Sequence, residues 1–171
     1  MHEQTGAGVK RFKPGDEVFS RPDISRDGAY AEFIIVEESL LAKKPRTVDH
    51  VHAAGIPLAA MTAWQALFDA AQVHRKQRVL IHAGAGAVGS FAVQLARWKG
   101  AHVIATCSTG NVDFVKSLGA DEVIDYRQAD FTHIRHVDAV VGHPRRRGPG
   151  TVVESGQTIW CAGLDRISAI R

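Results

Sequence analysis

Three glycines carry the sharpest chemical signal in the sequence. Gly84, Gly86 and Gly89 form the pattern G-x-G-x-x-G, with the apolar run Arg78-Val79-Leu80-Ile81 before them and the amphipathic stretch Ala87 to Lys99 after them. That strand–turn–helix setting separates a dinucleotide-binding turn from a chance glycine triplet in a plain tight turn. Gly84 permits the turn, Gly86 lets backbone N–H groups approach a pyrophosphate, and Gly89 lets the helix pack closely on the strand. The anion then rests at the helix N-terminus, where unpaired N–H groups and the helix dipole favour negative charge.

A turn that prefers an unphosphorylated ribose usually has Asp or Glu about 20 residues after its first glycine, bonding the 2′-hydroxyl. Here that region reads Ala105-Thr106-Cys107-Ser108-Thr109, with no carboxylate to repel a 2′-phosphate. The hydroxyls and Asn111 can bond a phosphate, and Lys116 and Arg127 are cationic candidates, so NADPH is the expected cofactor. The bland alternative for these residues is an ordinary strand end with an N-cap.

Other chemistry-bearing residues argue for less. There are nine histidines, but His50/His52 and His133/His136 have no Cys, His or carboxylate partners at zinc-site spacing, so no metal site is expected. Arg145-Arg146-Arg147 lies in a loop and reads as solvated charge, not as a nucleic-acid patch. Asp16-Glu17, Glu37-Glu38 and Asp121-Glu122 sit at turns and strand ends and read as exposed charge, not as an acid/base pair. Cys161 reads as a small buried thiol. No Ser/His/Asp arrangement suggests a nucleophile, and no residue can be named as catalytic.

The elements that must position the glycine turn follow from periodicity. From Arg78 onward, strand, helix and strand alternate: Ala87 to Lys99 is a helix ended by Gly100, and Val103 to Thr106 is a strand. Asn111 to Leu118 is a helix stopped by Gly119, and Glu122 to Tyr126 and Val137 to Val141 are strands. Such alternation predicts a parallel sheet with right-handed crossovers and a site at the carboxyl ends of its strands. Residues 142–150 read as a loop rich in Gly, Pro and Arg. Gln157 to Cys161 is a fifth strand, and no sixth is evident.

Upstream, residues 47 to 75 have helical periodicity. Pro57 suits the first turn, and Leu58, Met61, Ala63, Trp64, Leu67 and Phe68 are candidates for the buried faces. Residues 1 to 45 read as β structure: a type II turn centred on Pro14-Gly15 leading into a strand, a second strand over Ala29 to Val36, and a third at Leu40 to Ala42. Three short strands make a poor independent core.

Composition bounds the class. At 171 residues, 45% hydrophobic and 23% charged, the chain is long enough for one sizeable domain or one domain and part of another. A net charge of +3 gives no case for nucleic acid or an anionic membrane. The longest uncharged run, Val51 to Phe68, is interrupted by Gly55, Pro57, Thr62 and Gln65 and is a poor membrane span. Two cysteines make no disulfide framework, and the first residues lack the basic start and apolar run of a signal peptide. A cytoplasmic protein is expected.

In combination, five runs resemble the medium-chain dehydrogenase/reductase superfamily, and within it the zinc-free NADPH:quinone oxidoreductases of the zeta-crystallin-like group. These are the glycine turn with its flanks, Phe12 to Val18, Gly28 to Phe33, Leu58 to Leu67 and Leu118 to Tyr126. The resemblance covers about residues 8 to 141. It implies an α/β fold: a Rossmann-type parallel sheet with helices on both faces, residues 47–171 without the last strand, and a partial GroES-like β-barrel segment, residues 1–46. It also implies hydride transfer from NADPH to a quinone or an α,β-unsaturated carbonyl without metal, in relatives that can form homodimers. By the same resemblance Ala85, Gly86, Ala87 and Val88 contact the pyrophosphate, Thr62 approaches the nicotinamide end, Ser108 and Tyr126 the adenosine end, and Gly163 the nicotinamide side. The barrel's first half and its return segment are expected to lie outside the chain, and residues 142–156 depart from the family pattern in the manner of an out-of-frame patch. Two readings therefore remain: an oxidoreductase or a piece of one, and a nucleotide-binding fragment without catalysis.

Overall fold

The computed structural model describes residues 3–23, 25, 28, 30–131 and 134–142, and the backbone of 155–161 and 167–170. The chain divides into two compact units, Met1–Leu58 and Ala59–Arg171.

In the first unit Pro14 and Gly15 form the expected type II turn: Asp16 N–H donates to the Lys13 carbonyl at 3.1 Å, and Gly15 takes φ +88°, which a side chain would resist. The turn leads into β1 (Val18–Ser20), which pairs antiparallel with β2 (Leu41–Lys43), Val18 opposite Lys43. Helix α1 (His50–Ala54) is capped by Asp49, whose carboxylate accepts from His52 N–H at 2.8 Å. The strand expected over Ala29 to Val36 does not form among its described residues. A β-ladder needs a partner for its N–H and C=O groups, and no described strand offers one. Tyr30, Phe33 and Ile35 are instead exposed.

In the second unit six strands form one sheet: β3 (Arg78–Ile81), β4 (His102–Cys107), β5 (Glu122–Asp125), β6 (Val137–Gly142), β7 (Ser155–Cys161) and β8 (Ile167–Ile170), in the order β5-β4-β3-β6-β7-β8. The first five run parallel. β8 pairs antiparallel with β7, Ile159 opposite Ala169. This corrects the expectation that no sixth strand follows β7, and the reason for its direction is chain length. A parallel return needs a crossover of about a dozen residues, whereas residues 162–166 alone separate β7 from β8. The sequence of β8, Ile-Ser-Ala-Ile, is too short for periodicity to reveal it.

Helix α3 (Ala87–Lys99) matches the expected span, ending at Gly100 with φ +81°. Helix α4 (Val112–Ser117) follows a single 3₁₀ turn at Thr109–Asn111. The alternation of strand side chains divides the core in two. Val79 and Ile81 join Val103, Ala105, Ala92, Val93, Ala96 and Leu67 on one face, while Leu80, Ile104, Val137 and Val140 meet on the other.

Helix α2 (Ile56–Trp64) runs on into a π-helical turn, Gln65–Ala70, closed by Ala71 N–H to the Ala66 carbonyl at 3.0 Å. Its buried face corrects the expectation. Ala59, Ala63, Ala66 and Leu67 are inside, whereas Leu58, Met61 and Trp64 are exposed. Small residues let a helix lie close to its neighbours, so size and not hydrophobicity selects the inner face. The displaced aromatics gather outside: Trp64, Phe68 and Trp98 have ring centroids 4.7 to 6.3 Å apart.

Candidate dinucleotide-binding site

β3 ends at Ile81, and the chain turns through His82 to Gly86 into α3. Two carbonyls shape the turn. Gly84 N–H donates to Thr106 O at 2.8 Å, and Gly86 N–H donates to Ala83 O at 2.8 Å. A Cβ on Gly89 would lie 2.1 Å from Ala83 O and 2.8 Å from its carbonyl carbon, so no side chain fits there. A Cβ on Gly84 would meet Ala105 Cβ at 3.0 Å and Val115 Cγ1 at 3.1 Å, which brings the turn down onto β4 and α4. Gly86 stands less tightly, 3.2 Å from Ala83 O.

The first intrahelical bond of α3 is Ser90 N–H to Gly86 O, 2.8 Å. Gly86 is the N-cap and has no side chain to cap with. The amides of Ala87, Val88 and Gly89 therefore form the open first turn, three donors with the positive end of the helix dipole behind them. No side chain from Gly84, Gly86 or Gly89 stands over these donors, and a helix start of this kind suits a diphosphate. Gly84 to Gly89, with Ala85, Ala87 and Val88 among them, form this turn and the start of α3.

The rim beyond the turn is built by strand register. Cys107 pairs with Asp125 across β4 and β5, so Ser108 and Tyr126 emerge side by side at the carboxyl ends, joined by Tyr126 N–H to Cys107 O at 3.1 Å. Ser108 Oγ accepts from Asn111 Nδ2 at 2.9 Å. Tyr126 is half exposed. Thr62 stands half-buried in α2. Gly163, Cys161's side chain, His133 and Arg145 to Arg147 lie outside the described residues.

Sequence reasoning missed Asp125. A search along β4 finds no carboxylate, but the neighbouring strand delivers one to the same rim. Asp125 accepts from Arg127 N–H at 3.0 Å and from Gln128 Nε2 at 2.8 Å. The Thr109 hydroxyl, foremost, with these donors and the charge of Arg127, holds its carboxyl below the usual carboxylate range. The signal that would have found it is the register of two parallel strands, which spacing along the chain does not contain. Beside it, the buried Cys107 thiol is pushed up, by desolvation first and by the Asp125 charge second, so it stays a protonated apolar group.

Several acidic and histidine side chains among the described residues bond locally. Glu17 holds Lys44 at 3.4 Å and His50 at 3.1 Å, and Asp121 takes Arg97 at 2.6 Å and Val103 N–H at 2.8 Å. Among the described residues no group of three or more His, Cys, Asp or Glu side chains is placed to hold a metal ion, and no helix is long and apolar enough to cross a membrane.

Residues 87–144 match the family described as zinc-binding dehydrogenase. The chain is 45% identical over 129 residues to a chloroplast envelope quinone oxidoreductase homolog of Arabidopsis thaliana, a match covering 72% of this chain and 39% of that protein. It is 40% identical over 128 residues to a mitochondrial NAD(P)H oxidoreductase of Homo sapiens, covering 72% and 32%. Among solved structures it resembles the quinone oxidoreductase from Coxiella burnetii, with TM-score 0.75 and 38% identity over 82% of this chain and 45% of that one. The chain thus spans between about a third and two fifths of the length of the curated relatives it matches.

Proposed function

The chain belongs to the medium-chain dehydrogenase/reductase superfamily, and on that premise we propose that it is the NADPH-binding part of an oxidoreductase acting on a quinone or an α,β-unsaturated carbonyl. The observation that carries this reading is the turn at Gly84 to Gly89, with its open amides and no room for a side chain at Gly89 beside Ala83 O. When bound, NADPH supplies the hydride. The chain's own residues bind and orient it. The amides of Ala87, Val88 and Gly89 take the pyrophosphate, Ser108 and Tyr126 flank the adenosine end, and Thr62 and Gly163 serve the nicotinamide end. The 2′-phosphate preference is supported by Ser108 and Thr109 at the end of β4, where an acidic residue otherwise stands, and opposed by Asp125, which β5 brings ionised to the same rim. The reading places residues 1–46 in a GroES-like substrate domain and calls on no metal ion.

Fluorescence titration with NADPH and NADH, followed by NADPH consumption with a naphthoquinone, tests the proposal. Tighter NADPH binding and turnover are expected, and absence of binding to either cofactor would overturn it. A second reading, nucleotide binding without catalysis, is favoured by the exposure of Tyr30, Phe33 and Ile35 in a segment that finds no strand partner. Binding without turnover is its signature.

A further inference from the structure

Thr106 is one of two buried polar or charged residues among those described, 3% exposed at the end of β4. It touches the glycine turn three times. Its carbonyl accepts Gly84 N–H at 2.8 Å. Its Oγ1 accepts Ala83 N–H at 3.3 Å and lies 3.2 Å from His82 Nδ1. A hydroxyl that accepts from Ala83 N–H still has its proton and a second lone pair, so it bonds His82 Nδ1 in either tautomer of the imidazole. The His82 ring is in turn fixed on both sides. Phe131 packs edge-on with centroids 5.0 Å apart, and a Cβ at Gly142 would come within 3.1 Å of His82 Cδ2.

The residue between these bonds is the one under strain. Ala83 takes φ +52°, a left-handed conformation that costs a non-glycine residue of order 1 kcal/mol. That conformation aims the Ala83 carbonyl at Gly86 N–H and presses it against Gly89, so it sets where α3 begins and where its open amides point. Something must hold Ala83 there, and its N–H bonds the Thr106 hydroxyl.

We propose that the Thr106 hydroxyl, seated on His82, is a positioning device that holds Ala83 in its left-handed conformation and thereby aims the first-turn amides of α3 at a bound pyrophosphate. This rests on the dinucleotide reading of the same turn. Thr106 is buried beneath the turn and acts through Ala83, so its effect is on binding and on the dynamics of the turn.

The test compares Thr106→Val, which keeps the shape and removes the hydroxyl, with Thr106→Ser, which keeps the hydroxyl. NADPH is titrated against each full 171-residue chain, and amide exchange at Ala83, Gly84 and Val93 is followed without ligand. A lost buried hydrogen bond corresponds to a roughly tenfold effect. Thr106→Val is expected to weaken NADPH by about that factor and to speed Ala83 exchange, with Gly84 and Val93 unchanged, while Thr106→Ser behaves as the parent. Equal binding by the parent and Thr106→Val overturns the proposal, as does equal weakening by both variants, which would assign the effect to repacking around residue 106 and not to the hydroxyl. Should Thr106→Val not fold, His82→Phe carries the test: slower NADPH release than in the parent or unchanged binding overturns the proposal, and weakened binding with faster Ala83 exchange supports it. No NADPH binding by the parent, with Ala83 exchange still governed by the hydroxyl, would sink the dinucleotide reading and leave the clamp on the turn.

Discussion

At residue scale the hardest constraint is Gly89. A methyl group there would sit 2.1 Å from a backbone oxygen that is itself held by Gly86 N–H, so neither side can yield without moving the helix. Gly89→Ala is expected to lower unfolding free energy by about 1–3 kcal/mol, the range for overpacking, and to abolish NADPH binding; urea denaturation and fluorescence titration measure the two. His82 gives a pH dependence. Burial keeps its imidazole below the ordinary histidine value of 6.5, because desolvation disfavours the cation. The unfolded chain therefore takes up the proton first as pH falls. This contribution to stability is complete above about pH 6.5 and is lost progressively below it. Urea midpoints measured from pH 7.5 to 5 are expected to fall, and His82→Phe should flatten the slope.

At the scale of elements, size decides the packing of α2. Ala63 and Ala66 are fully buried and Met61 and Trp64 are not, with Leu67 the one large side chain taken inside. Ala63→Leu is expected to destabilise by about 1–3 kcal/mol, whereas Met61→Gln should stay within about 0.5 kcal/mol; thermal or urea unfolding of the two variants checks the contrast. Periodicity alone placed hydrophobic residues on this helix without telling which face was tight. For α3 the same periodicity sufficed, because Gly86 and Gly100 mark both ends locally and its inner residues Ala92, Val93 and Ala96 are themselves the apolar ones.

At the scale of the molecule the two units differ in how their backbones are satisfied. The first has a single ladder of two three-residue strands, which is marginal on its own. The second has a six-stranded sheet with fully buried Val79, Leu80, Ile81, Val103 and Ile104 at its centre. Hydrogen exchange is expected to be slowest at β3 and β4 and fast throughout β1 and β2. Comparable protection in both would show that the first unit has support beyond its own ladder.

The glycine turn, α3, the parallel strands from Arg78 to Val141 and the type II turn at Pro14-Gly15 were determined by the sequence itself, because each is a short-range matter of dihedral freedom and side-chain period. The tertiary structure alone decided the rest. Asp125 reaches the rim through strand register, Thr106 and His82 meet across 24 positions of chain, and β8 turns antiparallel because its link is short. Ala29 to Val36 has every local mark of a strand and forms none among its described residues, for a strand is a property of two segments and its sequence specifies one.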